Sequence, residues 1–212
     1  TLYVTAELWD LFCQGLGSAS TVRGTAAVLG SACILPAFLP LSGTGLYLGK
    51  DIMIMIGTGD YRYEYRPDWA KLPAEMEFQA PSAVAVDSHD NLYVFQRGDP
   101  PVLVFDRYGN MIAQWTRKDG VPADAHLVYV GPDDGVYLAD RDAHQILKYT
   151  AEGELVMSLG NRHRAELQAP FNHPADMCVA PPGSPLTGEI FVADGYGNSS
   201  VHHFSPSGNH ID

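Results

Sequence analysis

One pattern recurs three times along this 212-residue chain, and it limits the possible folds more than any other feature. Residues 81–115 (PSAVAVDSHDNLYVFQRGDPPVLVFDRYGNMIAQW), 125–159 (AHLVYVGPDDGVYLADRDAHQILKYTAEGELVMSL) and 174–211 (PADMCVAPPGSPLTGEIFVADGYGNSSVHHFSPSGNHI) can be laid over one another. In each, an aromatic (Phe105, Tyr149, Phe204) stands four residues before a glycine (Gly109, Gly153, Gly208). An apolar residue, Ile112, Val156 or Ile211, follows three positions after that glycine. The aromatics are 44 and 55 residues apart, and the excess in the longer interval lies mainly in PPGSPLTG.

Each unit holds several short apolar runs and no long helical stripe. Runs at 83–86, 127–130 and 176–180 suit an inner, fully flanked strand. Those at 92–95, 136–139 and 190–193 form a second strand, and those at 102–106, 146–150 and 201–205 a third. The glycine supplies the positive φ of a tight hairpin and opens a fourth strand at 110–115, 154–159 and 209–211. A repeat of roughly 40 to 50 residues with several short strands is the sequence sign of a β-propeller blade. The expected fold is therefore all-β: a partial β-propeller of about three four-stranded blades. Ahead of the repeats, YRYEYR (61–66) alternates aromatic and polar residues and predicts one more strand.

Composition fits this architecture and narrows the partners. Twenty-one glycines and 15 prolines suit turns between short strands. At 46% hydrophobic and 18% charged, the chain can bury a core. Lys and Arg total 13 against 25 Asp and Glu, a net −12, which repels phosphate backbones and anionic lipid. No nucleic-acid partner is expected. Cys13, Cys33 and Cys178 are few, odd in number and far apart, which excludes a disulfide scaffold and fits a reducing compartment. There is no GxGxxG before a helix, no P-loop, no GxSxG and no HExxH, so nucleotide binding and the common hydrolases have no support.

Near residue 52 the chain changes character, which divides it into an extension (1–52) and a propeller region (53–212). Before that point Glu7, Asp10 and Asp51 stand against Arg23 and Lys50, so the rest carries −11 of the net −12. Residues 24–49 carry no charge and are long enough to span a bilayer, yet their glycines with Pro36 and Pro40 make a poor continuous helix. Three readings stay open: a signal or membrane anchor, an ordered extension, and upstream sequence read through a start at Met53 or Met55. The last implies a cytoplasmic protein; a genuine targeting segment implies a secreted or membrane-anchored one.

Three stretches carry a likeness to known proteins: IGTGDYRYEYRPDWAKLP (56–73), VAVDSHDNLYVFQRGDPPVLVFDRYGN (84–110) and FVADGYGNSSVHHFSPSG (191–208). The repeats resemble NHL repeats, and residues 53–212 more particularly resemble bacterial relatives of peptidylamidoglycolate lyase. That family implies a six-bladed propeller that cleaves peptidyl-α-hydroxyglycine into a peptide amide and glyoxylate. The resemblance gives Arg97 of VFQRGD to substrate binding and Tyr196 of DGYGNSS to proton removal from the substrate hydroxyl. It gives His126 of PADAHLVYV to zinc, and the backbone carbonyls of Val84 and Val128 to a structural calcium. The other zinc histidines, a second arginine and the calcium carboxylate belong to blades beyond Asp212, so the resemblance implies truncation, incomplete metal sites and an inactive fragment. Gly197 replaces a cysteine found in secreted members, and Ser200 stands where an arginine is usual.

The residue types suit the chemistry. A metal lowers the pKa of a bound hydroxyl, a tyrosinate accepts its proton, and a guanidinium offers a fixed fork to a carboxylate. Neutral imidazole suits zinc, and hard carbonyl oxygens suit calcium. Each residue also has a plainer role. Arg97 can pair with Asp99 or Asp106, Tyr196 can be a packed aromatic, and His126 a loop histidine. His202 and His203 alternate across a strand, so only one can face a metal; His173 and His89 suit turns. Asp133–Asp134 and Asp140–Asp142 lack EF-hand spacing and suit turns as well. The partner is accordingly a small peptide-derived substrate or, if the propeller is noncatalytic, a protein ligand. No membrane partner is expected unless residues 24–49 act as an anchor. A calcium-dependent hydrolase of lactonase type is a third possibility.

Overall fold

The computed structural model describes residues 54–167 and 170–212. The extension assigned to 1–52, with its uncharged run and two of the cysteines, lies outside the described residues. The described chain divides after Trp69 into two units.

The first is a hairpin. β1 (Ile54–Thr58) pairs antiparallel with β2 (Tyr61–Tyr65), and Thr58 faces Tyr61 across a two-residue turn. Gly59 opens that turn with φ 59°, a conformation glycine takes without steric cost. The strand expected at YRYEYR is present.

The second unit is three antiparallel meanders. β3 (Pro81–Val86), β4 (Leu92–Gln96), β5 (Val102–Phe105) and β6 (Met111–Trp115) form the first sheet in that order. β7 (Ala125–Val130), β8 (Val136–Asp140), β9 (Gln145–Tyr149) and β10 (Leu155–Leu159) form the second. β11 (Asp176–Val179), β12 (Ile190–Asp194) and β13 (Ser200–Phe204) form the third. The only helical turn among the described residues is a short 3₁₀ segment, Arg117–Asp119.

Two points differ from the sequence expectation. The first strand of each unit is an edge strand, with Val84 and Val86 of β3 exposed at 39% and 46%. The strands buried along their whole length are β4, β5 and β8, because each has a neighbour on both sides. The third sheet has three strands. The stretch 209–211 makes one bridge, Phe204 to His210, and Ile211 N–H donates to His203 O at 2.8 Å.

Alternation across the middle sheet explains the near-continuous apolar runs. Leu138, Leu147 and Tyr149 pack toward the first sheet, against Tyr93, Phe95 and Trp115. Their neighbours Tyr137, Ala139 and Ile146 pack toward the third, against Phe171, Met177 and Ile190. A strand buried on both faces needs apolar residues at consecutive positions.

The turns repeat one chemistry. Asp106 Oδ1 accepts from the N–H of Tyr108 and of Asn110 at 2.8 and 2.9 Å, and Gly109 takes φ 79°. Thr150 Oγ1 accepts from Glu152 and Glu154, both at 3.3 Å, around Gly153 at φ 91°. Asp87 does the same for His89 and Asn91, at 2.9 and 2.8 Å, and here Asp90 adopts the left-handed conformation at φ 64°. Asp tolerates that region better than most residues because its short side chain bonds locally.

Candidate functional site

The loops that leave the second strand of each sheet build the site. The last residue of that strand, or the aligned one, is a buried polar group: Gln96, Asp140 and Asp194 are 1%, 6% and 0% exposed. Gln96 Oε1 accepts from Gln79 N–H at 2.9 Å, and its Nε2 donates to Pro100 O at 2.9 Å. Asp194 Oδ2 accepts from Asn172 N–H at 2.7 Å, Asn198 Nδ2 at 2.6 Å and His202 Nε2 at 3.2 Å. Asp140 Oδ1 accepts the Ala143 N–H at 3.2 Å, and burial raises its pKa above the usual carboxylate range. These anchors fix the loops. Directly after them come Arg97, Arg141 and, one residue further on, Tyr196.

His126, the second residue of β7, meets Tyr196. Its Nδ1 lies 2.9 Å from Ala175 O and its Nε2 lies 3.2 Å from the Tyr196 hydroxyl. A carbonyl can only accept, so Nδ1 carries the proton and Nε2 accepts from the phenol. The rings meet edge to face, 5.5 Å apart at 81°. Burial lowers the His126 pKa; the bond to Ala175 opposes that shift, and the guanidiniums of Arg141 and Arg97 reinforce it. The imidazole is thereby held neutral, with its Nε2 lone pair toward Tyr196.

Arg97 lies beside this pair. Its Nε is 3.4 Å from Ala125 O and 3.8 Å from Asp124 Oδ1. The sequence offered Asp99 or Asp106 as its partner; the structure gives it Asp124, at the start of the second sheet, because the loop after Gln96 points toward that sheet. Arg141 Nη2 reaches the other oxygen of Asp124 at 3.4 Å, and Arg141 Cζ sits 5.7 Å from the Tyr196 ring centroid. Tyr196 is 64% exposed, so it is not a core aromatic. Arg97, His126 and Tyr196 thus come together from three sheets, with Arg141 and Asp124 between them.

Val84 and Val128 lie on the first strands of the first two sheets. Each is the fourth residue of its strand, pairing with Val94 and with Leu138, and β3 and β7 pack side by side. The remaining histidines serve locally. His202 bonds buried Asp194, while His203, on the opposite face, pairs with Glu189 and Asp212. His173 takes φ 66° and packs edge-on against His144, with ring centroids 4.5 Å apart. Asp134 accepts from Ser88 and Asp133 pairs with Lys148, both at 2.6 Å. A Cβ at Gly197 would come within 2.3 Å of the Asn172 side chain, which fills the space that a cysteine there would need.

His126 fits a zinc ligand in tautomer, since a histidine fixed through one nitrogen presents the other to a metal. One donor is not a site. Among the described residues no three His, Cys, Asp or Glu side chains are grouped closely enough to hold a metal ion, whereas a catalytic zinc takes three protein ligands.

Sequence reasoning missed Asp124 and Arg141. The repeat alignment held the signal for Arg141, because LADRD lays over VFQRG and puts Arg141 at the place of Arg97. Nothing local singles out Asp124.

The sheets and their repeated turns define a partial β-propeller, present here as an open run of blades. No protein-family model matches the chain. It is similar to peptidylglycine alpha-amidating monooxygenase of Rattus norvegicus, 29% identical over 184 residues, which cover 73% of this chain and 18% of that protein. Human NHL repeat-containing protein 3 is 31% identical over 145 residues, 63% of this chain and 40% of that protein. A probable peptidyl-alpha-hydroxyglycine alpha-amidating lyase of Caenorhabditis elegans, pgal-1, is 37% identical over 86 residues, 40% of this chain and 23% of its own length. The chain therefore spans about a fifth of the length of the rodent proteins it matches. Among solved structures, virginiamycin B lyase of Staphylococcus aureus aligns over 63% of this chain and 40% of its own, with 15% identity and a TM-score of 0.47.

Proposed function

We propose that this chain is part of a carbon–nitrogen lyase that converts peptidyl-α-hydroxyglycine into a peptide amide and glyoxylate. The observation that carries the proposal is the Tyr196 hydroxyl at 3.2 Å from a neutral His126 Nε2, with Arg97 alongside. The amidating proteins among the relatives support it.

The residues present can perform the proton steps. Arg97 holds the substrate carboxylate with donors directed at its oxygens. Tyr196 loses its own proton to solvent and, as a tyrosinate, takes the proton of the substrate hydroxyl, which leaves the His126 Nε2 lone pair free for a metal. The oxygen's electron pair then forms the aldehyde carbonyl, the C–N bond breaks toward nitrogen, and that nitrogen takes up a proton to become the carboxamide. The proposal gives His126 to zinc and the Val84 and Val128 carbonyls to calcium. Calcium takes six to eight oxygens, so the two carbonyls are members of a larger set.

The test is glyoxylate release from benzoyl-α-hydroxyglycine by the protein expressed from its whole gene. Turnover that falls about a hundredfold or more in Tyr196→Phe supports the proposal. Absence of release, or full activity in that variant, favours a noncatalytic propeller of the kind suggested by the NHL repeat-containing relative.

A further inference from the structure

We propose that Arg141 is the second arm, additional to the arginine that the likeness places in a later blade, of a carboxylate-binding subsite whose first arm is Arg97, so that the carboxylate of an α-hydroxy acid is reached by guanidiniums from successive blades. The proposal rests on the lyase assignment and extends it to a residue that the family likeness does not assign.

Three observations carry it. The first is position: Arg97 follows Gln96 and Arg141 follows Asp140, two buried anchors at aligned places in the repeat. Each arginine therefore leaves its blade at the same end. The second is the unused donor capacity. Arg97 turns only its Nε edge to protein, toward Ala125 O at 3.4 Å and Asp124 Oδ1 at 3.8 Å. Its two terminal nitrogens have no polar partner among the described residues, and its side chain is 51% exposed. Arg141 spends Nε on Asp142 at 2.8 Å and Nη2 on Asp124 at 3.4 Å, leaving Nη1. Asp124 gives one oxygen to each guanidinium and so holds two like charges at one place.

The third observation is the neighbour. The Arg141 guanidinium lies over the Tyr196 ring at 5.7 Å, and the Tyr196 hydroxyl is the group on His126. In an α-hydroxy acid the hydroxyl and the carboxylate share one carbon. A carboxylate held by these arginines keeps its hydroxyl close to the phenol, and such positioning is a large part of catalysis. The free end of the Arg97 fork together with Arg141 Nη1 holds a carboxylate from two blades, which fixes its orientation as one flexible arginine does not. A purely structural Arg141, paired with Asp142 and Asp124, would give no signal of its own on addition of a carboxylate.

The experiment titrates the full 212-residue chain with benzoylglycine and, separately, with benzoylglycinamide, and follows the arginine Nε–H signals by NMR. The acid should shift the signals of both Arg97 and Arg141, and the amide neither. Arg141→Gln should weaken acid binding about tenfold, and Arg141→Lys, which keeps the charge and loses the planar guanidinium, should recover it only in part. If Arg97→Gln abolishes binding while Arg141→Gln leaves the Kd unchanged, the second arm is refuted and the lyase assignment stands. If the chain does not distinguish acid from amide, both fail. Should Arg141→Gln lose its dispersed amide spectrum, Arg141→Lys decides: a Kd equal to that of the unsubstituted chain overturns the proposal.

Discussion

Asp140 shows how a single atom's partners set the behaviour of a position. Gln96, Asp140 and Asp194 occupy one place in the repeat, and at Asp140 burial, reinforced by Asp124, outweighs the Ala143 N–H and the nearby Arg162 and His163. Its raised pKa means that the folded state favours the protonated form. The stability this lends is full below the ordinary carboxylate range and is lost as the pH rises through the raised value. Asp140→Asn should therefore raise the urea midpoint at pH 7 and leave it unchanged at pH 3; an equal change at both would show that charge is not the cause. Gln96 already demonstrates that an amide fits this position. Arg97, His126 and Tyr196 were singled out before any coordinates by the family likeness of the short stretches around them, and the structure brings the three together. Asp124 was not, because its importance comes from two guanidiniums that approach it from separate loops.

Strands and turns were the most readable level. An aromatic, a glycine four residues on and an apolar residue three beyond that define a hairpin without reference to the rest of the chain. Which strand lies at the edge was less readable, since an apolar run has the same composition whether it has one neighbour or two. The turn glycines also do more than permit φ. A Cβ added at Gly153 would lie 2.9 Å from the Trp115 indole, across the junction between the first two sheets. Gly153→Ala should cost about 1–3 kcal/mol in chemical denaturation, from crowding together with a strained φ. The cost should shrink when Trp115 is replaced by Phe in the same protein. A full cost in the double variant would assign the penalty to the backbone alone.

The second unit is held by two apolar cores that share its middle sheet. Leu138 is fully buried on the side facing the first sheet, so Leu138→Ala should remove about 2–5 kcal/mol. Tryptophan fluorescence and circular dichroism should lose their transitions together, since a sheet that serves both cores couples them. Separated transitions would show that the blades melt independently. That sharing also bears on the Tyr196–His126 contact, whose two partners ride on different sheets. The contact works as an alignment gauge: a tilt of one sheet against the other that moves the hydroxyl by an ångström takes 3.2 Å beyond hydrogen-bonding range. Conservative changes deep in the core, such as Ile146→Val or Met177→Leu, should therefore lengthen this contact, and slow the proton transfer proposed for Tyr196, while both side chains that make it are untouched.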